Sequence, residues 1–376
     1  MTDTVRPAVG TILPGITARH VRTPRYTAHV LEREQDAPGG ASDRPTVLLV
    51  HGNVSSSLFW QPLMLALPDT VRAIAVDLRG FGGSEVLPVD ASRGVRDFSD
   101  DVASVIDELA LGAVHVVGWS MGGGVAMQLL LDRPELVASL TLESTVSPYG
   151  FGGTRLDGSL LNPDASGTGG GGANPDFVAR LAAGDRTEEV GTSPLAVYRS
   201  SYVAPGYASE LEAVWLESML TTATGEGNYP GDATASEHWP GFAPGAHGVL
   251  NTMAPTVFDT SAIVDLEPKP PVLWIHGALD AIVGDASFFD LNTLGQAGII
   301  PGWPGDEVAP PQPMVSQTRA VLAAYAARGG AVTEVEFDDC GHSPHLERQV
   351  DFRAALLALV ASPASAASPA SAASAE

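Results

Sequence analysis

The chain has 376 residues, 44% of them hydrophobic, which is enough to bury a large core, and its formal net charge at pH 7 is −24. With Lys269 the only lysine, it lacks the clustered positive charge that nucleic acid and anionic membranes require, so neither is expected as a partner. No apolar run reaches the length of a membrane span, no basic-then-apolar leader opens the chain, and the single Cys340 allows no internal disulfide; the cytoplasm is the default location. In chain order, Thr46–Val50 reads as a buried strand running into His51-Gly52-Asn53, and Arg72–Val76 as a second ending in Asp77. Residues 98–109 carry apolar side chains at Val102, Val105, Ile106 and Leu109, a helical spacing with Ser99 as the expected N-cap. A β-branched run at 113–117 then meets Gly118-Trp119-Ser120-Met121-Gly122 and a helical pattern through Leu130, and residues 139–143 read as the next strand. Strand and helix patterns in alternation argue for a parallel sheet with helices on both faces.

Between about 145 and 267 the alternation stops. This stretch contains a glycine tract, Gly167 to Gly172, expected to be a mobile loop because glycine loses so much entropy on ordering. It lacks the strand before it and the Lys-Ser/Thr pair after it that a phosphate cradle needs. Residues 207–220 have helical periodicity through Leu211, Val214, Trp215 and Leu220. Strand patterns resume at 271–275, which leads to His276-Gly277-Ala278-Leu279-Asp280, and at Val332–Phe337, which leads to Gly341-His342-Ser343. Between Asp280 and His342, residues 284–314 are rich in proline and read as an irregular insertion. Residues 361–376 repeat Ser, Pro and Ala with no large apolar side chain and are expected to be disordered.

A serine at a sharp turn between a strand and a helix is held in a strained backbone conformation with its hydroxyl clear of the sheet. Side chains at the flanking Gly118 and Gly122 would collide with the turning backbone, and Ser120 lies at a helix N-terminus, where free N–H groups favour negative charge. Together with the His-Gly loop after the first strand, Asp280 after a late strand and Gly-His after the last, the chain resembles serine hydrolases of the α/β-hydrolase superfamily over residues 45–145 and 268–360. The order Ser, Asp, His is the one expected of that fold. The resemblance implies an α/β class with a mostly parallel, doubly wound sheet, helices on both faces and an inserted, largely helical cap. Residues 1–144 and 268–360 would form the core and 145–267 the cap, with 284–314 near the active site.

By that resemblance Ser120 is the nucleophile, His342 the base that later returns the proton, and Asp280 the acid that fixes its tautomer. Glu143, after the strand that follows the nucleophile, is the alternative acid. The backbone N–H groups of Asn53 and Met121 would hold the oxyanion, with Val54 the near alternative to Asn53. His345 is expected at the surface or capping a helix, while His51 and His276 are expected to support the loops after them. Trp119, Trp215, Trp239 and Trp303 are candidates to line an apolar acyl pocket. His238 and His247 lie in irregular sequence, no metal site stands out, and no cofactor is implied. The opening loop is also similar to that of haloalkane dehalogenases, but those need a carboxylate at the elbow, where this chain has Ser120. The implied partner is a small ester or lactone, cleaved through an acyl-enzyme. Carbon–carbon bond hydrolysis, perhydrolysis and ligand binding with vestigial turnover are the alternatives on the same scaffold, and homo-oligomerisation stays open.

Overall fold

The computed structural model describes residues 10–34 and 44–362. Eight strands make the main sheet: β1 (Ile16–Arg22), β2 (Thr27–Arg33), β3 (Thr46–Val50), β4 (Arg72–Val76), β5 (Val114–Trp119), β6 (Val137–Glu143), β7 (Val272–Gly277) and β8 (Val332–Phe337). Their spatial order is β1-β2-β4-β3-β5-β6-β7-β8. The first two form an antiparallel hairpin and β2 lies antiparallel to β4, while every pairing from β4 to β8 is parallel. Every residue of β3, β5, β6 and β7 is buried. That is why these strands read as mainly apolar runs: a parallel sheet covered on both faces leaves no solvated side, and the few polar residues on it, such as His115 and Ser139, bond to each other. The edge strand β8 is only partly covered, and its alternation of Val, Thr and Glu follows from that.

Helices α1 (Gln61–Ala66), α2 (Arg96–Glu108) and α3 (Met121–Asp132) belong to the first half of the core. The insertion carries α4 (Pro175–Ala183), α5 (Pro194–Val197) and α6 (Glu212–Leu220). After it come α7 (Leu291–Gln296), α8 (Met314–Ala327), α9 (Pro344–Glu347) and α10 (Gln349–Val360). Helix α3 packs on β5 and β6 beside α2, whereas α1 and α10 pack together on the other side of the sheet. No helix among the described residues is long and apolar enough to cross a membrane.

Three expectations need correction. Helix α2 begins at Arg96, two residues before the apolar periodicity, and Ser99 is not its cap: its N–H already donates to the Val95 carbonyl at 3.0 Å. Asp97 and Asp101 face inward here, where the Arg79 guanidinium holds Asp101 through bonds of 2.6 and 2.7 Å, so charge pairing extends the helix beyond its apolar stripe. The insertion 145–267 is helical only in part, with two-stranded ribbons at 224–225 with 229–230 and at 233–235 with 242–244. The glycine tract is built into the fold instead of forming a mobile loop: the Gly170 N–H donates to Asn251 Oδ1 at 2.8 Å. A Cβ on Gly170 would stand 2.7 Å from the carbonyls of Gly231 and Asp232, so glycine is required by close backbone approach. The tail read as disordered lies, from 363 on, outside the described residues.

Candidate active site

Because β3, β5, β7 and β8 run parallel, the loops that leave their carboxyl ends emerge on one edge of the sheet. Ser120 sits between β5 and α3 at φ 57°, ψ −121°, a conformation that side chains rarely adopt. Its N–H donates to the Glu143 carbonyl at 2.9 Å, and its own carbonyl accepts from Gly123 and Val146. The turn tolerates no bulk beside it. A Cβ on Gly118 would lie 2.3 Å from the Gly122 carbonyl oxygen, and one on Gly122 would lie 2.4 Å from that of Val50. Both elbow glycines therefore answer to backbone contacts that cannot give way.

His342 is buried in the loop between β8 and α9. Its Nδ1 donates to Asp280 Oδ2 at 2.8 Å, and both side chains are 2% exposed. Asp280 Oδ1 accepts from the backbone N–H groups of Ile282 (2.8 Å) and Val283 (2.9 Å), which fixes the carboxylate. With Nδ1 committed as donor, Nε2 is the imidazole's acceptor. Ser120, His342, Asn53 and Met121 line one cavity of about 430 Å³. Met121 opens α3, so its N–H has no partner within the helix. Asn53 comes close to the nucleophile through Gly52, whose missing Cβ would stand 2.8 Å from Ser120 Cβ. Val54, next in the loop, also lines the cavity and adopts φ 47°, strained for a β-branched residue.

Glu143 does not face His342. Its Oε1 accepts from both the backbone N–H and the Nδ1 of His345, at 2.7 and 2.8 Å, and both side chains are fully buried. His345 is accordingly neither a surface residue nor a cap; its ring lies 4.3 Å from that of Trp60 and 5.0 Å from that of Trp119. His51 takes the supporting place expected of it. Its Nδ1 donates to the Gly52 carbonyl at 2.7 Å and its Nε2 accepts from the Leu78 N–H at 3.0 Å, and burial lowers its pKa. Below it Asp77 accepts from His29 and from the N–H groups of Ser57 and Gly83. Burial works against its charge, but these bonds prevail and pull its pKa down to about 2. His276 stacks on Trp274 and points Nε2 at Glu334, 3.1 Å away, which Arg319 also engages.

Two positioning residues escaped the sequence reading. The Tyr202 hydroxyl, from the insertion, donates toward the carbonyls of Asn53 (3.0 Å) and Val54 (3.2 Å) and so braces the loop after β3. Glu347 accepts from the N–H groups of Gly341, Ser343 and Ala204, tying the histidine loop to the insertion; burial nonetheless keeps its pKa raised. A tyrosine in irregular sequence and one glutamate among 44 acidic residues offer no pattern that would single them out. Of the four tryptophans proposed for the pocket only Trp119 lines it, and its indole N–H donates to the His342 carbonyl at 2.7 Å. Trp215 is core against Phe59, while Trp239 and Trp303 donate to Pro301 and Ala309 in the second insertion.

Residues 45–167 match the family described as alpha/beta hydrolase fold. RutD of Variovorax paradoxus, named as a carbamate hydrolase, is 39% identical over 130 residues, 34% of this chain and 48% of that protein. Carboxylesterase YbfK of Bacillus subtilis is 35% identical over 110 residues, 29% of this chain and 37% of its own. The chain thus spans no more than about half the length of the curated relatives it matches first. Among solved structures, the enol-lactonase from Burkholderia xenovorans LB400 superposes with a TM-score of 0.55 at 16% identity, over 92% of this chain and all of that one (100%), a likeness of fold. Sheet order, elbow and the match over residues 45–167 agree that the chain has the α/β-hydrolase fold.

Proposed function

We propose that the protein is a serine hydrolase that cleaves a carboxylic ester or lactone of a small, mainly apolar molecule through an acyl-enzyme. The observation that carries this reading is that His342, paired in burial with Asp280, shares a cavity with a serine held in a strained elbow. A serine hydroxyl is scarcely ionised near neutral pH and needs a base to take its proton as it attacks. His342 Nε2 is that base; Asp280, anchored by two backbone N–H groups, holds the tautomer and stabilises the imidazolium. The carbonyl oxygen, now an anion, is met by the N–H groups of Met121 and Asn53, each such donor contributing on the order of 3 kcal/mol to lowering the barrier. His342 then hands its proton to the departing alcohol, and a water activated by the same imidazole releases the acid and restores Ser120. Relatives named as a carboxylesterase and an enol-lactonase support the ester or lactone class.

The test compares wild type with Ser120→Ala on p-nitrophenyl acetate and butyrate, with mass detection of an acyl group on Ser120. The reading expects the variant to lose a factor on the order of 10⁴ or more in kcat while remaining folded. Equal turnover by the two proteins refutes it.

A further inference from the structure

The walls of the cavity beside Ser120 limit what it admits. No lysine or arginine is found among the described residues that line it, and its one carboxyl is Asp290. Asp290 is 3% exposed, accepting from the N–H of Asn292 at 3.1 Å and from that of Gln312 at 2.8 Å. Burial pushes its pKa up to about 6. Just before it, Phe288 and Phe289 line the same cavity yet are 61% and 44% exposed, so they stand at its mouth. Exposed aromatic rings that continue an apolar inner wall (Phe151, Leu250, Met253) give a chain longer than the inner space a surface on which to lie.

Resting on the ester-hydrolase reading of Ser120, we propose that the 284–314 insertion is the specificity element. Phe288 and Phe289 form an outer subsite for the extended, uncharged arm of an ester, and Asp290 excludes arms that end in a carboxylate. A carboxylate drawn inside would leave water with no cation to receive it and would meet a buried carboxyl as well, and desolvation with like-charge repulsion both disfavour it. An alkyl arm of the same shape incurs neither penalty and gains contact with the two rings.

The experiment measures kcat/KM of wild type for p-nitrophenyl acetate, p-nitrophenyl 5-methylhexanoate and its isosteric counterpart, the p-nitrophenyl monoester of glutaric acid. Ethyl and hexyl acetate probe the alcohol side. The expected result is a preference of about tenfold or more for 5-methylhexanoate over the glutarate monoester, which Asp290→Asn narrows. Replacing both rings, F288S with F289S, lowers the long-over-short ratio about tenfold in the acyl or the alcohol series. Both rings are exposed, so the double variant is expected to fold, and a thermal melt checks it and Asp290→Asn; the wild-type series needs no variant. Equal rates for the isosteric pair, or unchanged chain-length ratios in both series, overturn the proposal while turnover abolished by Ser120→Ala keeps the hydrolase reading intact. No turnover of any of these esters by wild type defeats both.

Discussion

Gly52→Ala tests the contact on which the site is built. The new methyl would lie 2.8 Å from Ser120 Cβ, 3.1 Å from the Trp119 carbonyl oxygen and 3.5 Å from Ser120 Oγ. An unstrained carbon–carbon contact is about 3.5 Å, so the oxyanion loop and the elbow must separate by about 0.7 Å. Neither side yields by rotation: Ser120 Cβ is fixed to the backbone, and its peptide is held by Glu143, Gly123 and Val146. The displacement falls between Ser120 and the Asn53 loop, proposed as nucleophile and oxyanion donor, where a shift of about 1 Å costs about a hundredfold, so kcat/KM for p-nitrophenyl butyrate is expected to fall by about ten- to a hundredfold. Overpacking is expected to cost about 1–3 kcal/mol of stability, read from urea melts. The same substitution in a Ser120→Gly background, which lacks the opposing Cβ, should cost measurably less than in Ser120→Ala, which retains it. A Gly52→Ala enzyme with wild-type kcat/KM, or equal stability losses in both backgrounds, would show that the two loops do not meet in this way.

Three further perturbations follow from the charges. Asp280→Asn should lower kcat about 10³- to 10⁴-fold. The N–H groups of Ile282 and Val283 keep the amide oxygen at the Oδ1 position, so its NH₂ turns to His342 Nδ1 and moves the imidazole proton to Nε2. Glu143→Gln should leave kcat within about tenfold, since its partner is His345; a loss as large as that of Asp280→Asn would reverse the assignment. His115, whose pKa burial lowers to about 4, is neutral in the folded protein and bonded to Ser139 at 2.8 Å. Its contribution to stability is complete above the unfolded value near 6.5 and disappears as pH falls toward 4. Wild type should therefore lose about 2 kcal/mol more than His115→Gln between pH 7 and pH 5 in urea melts; parallel losses would contradict this.

The strands that position the site were legible to within a residue or two. β3 and β4 match their expected ranges because a central parallel strand is apolar along its whole length. The positions of Ser120, Asp280 and His342 after strand ends were legible because loops at the ends of such strands carry compact signatures with glycine at enforced places. What escaped is held by other forces. The β1–β2 hairpin is polar and half-exposed, with no clean alternation to read. The glycine tract is ordered by backbone partners at 231–232 and by Asn251, sixty or more residues on, and local composition says nothing of such contacts. The burial of His345 comes from its three-dimensional neighbours, Glu143 and two indoles, as the place of His342 comes from Asp280 and the cavity.

Core and insertion divide the work of holding the site. Glu143 acts from below the sheet edge: its carbonyl fixes the Ser120 N–H and its carboxylate fixes His345, three residues from the base. Trp119, beside the nucleophile, closes the same circuit by donating to the His342 carbonyl. Ser120 and the loop carrying His342 are thus tied to the buried ends of β5 and β6. The insertion reaches the opposite side of the same machinery through residues 202–204. The Tyr202 hydroxyl grips Asn53 and Val54, its carbonyl accepts from Ser343 Oγ at 2.6 Å, and the Ala204 N–H donates to Glu347. Displacing this brace would disturb the loops carrying Asn53 and His342 together. Residues 202–204 therefore link the insertion to the loops that carry Asn53 and His342, whereas the side-chain bonds described for α4, earlier in the same insertion, stay within the insertion.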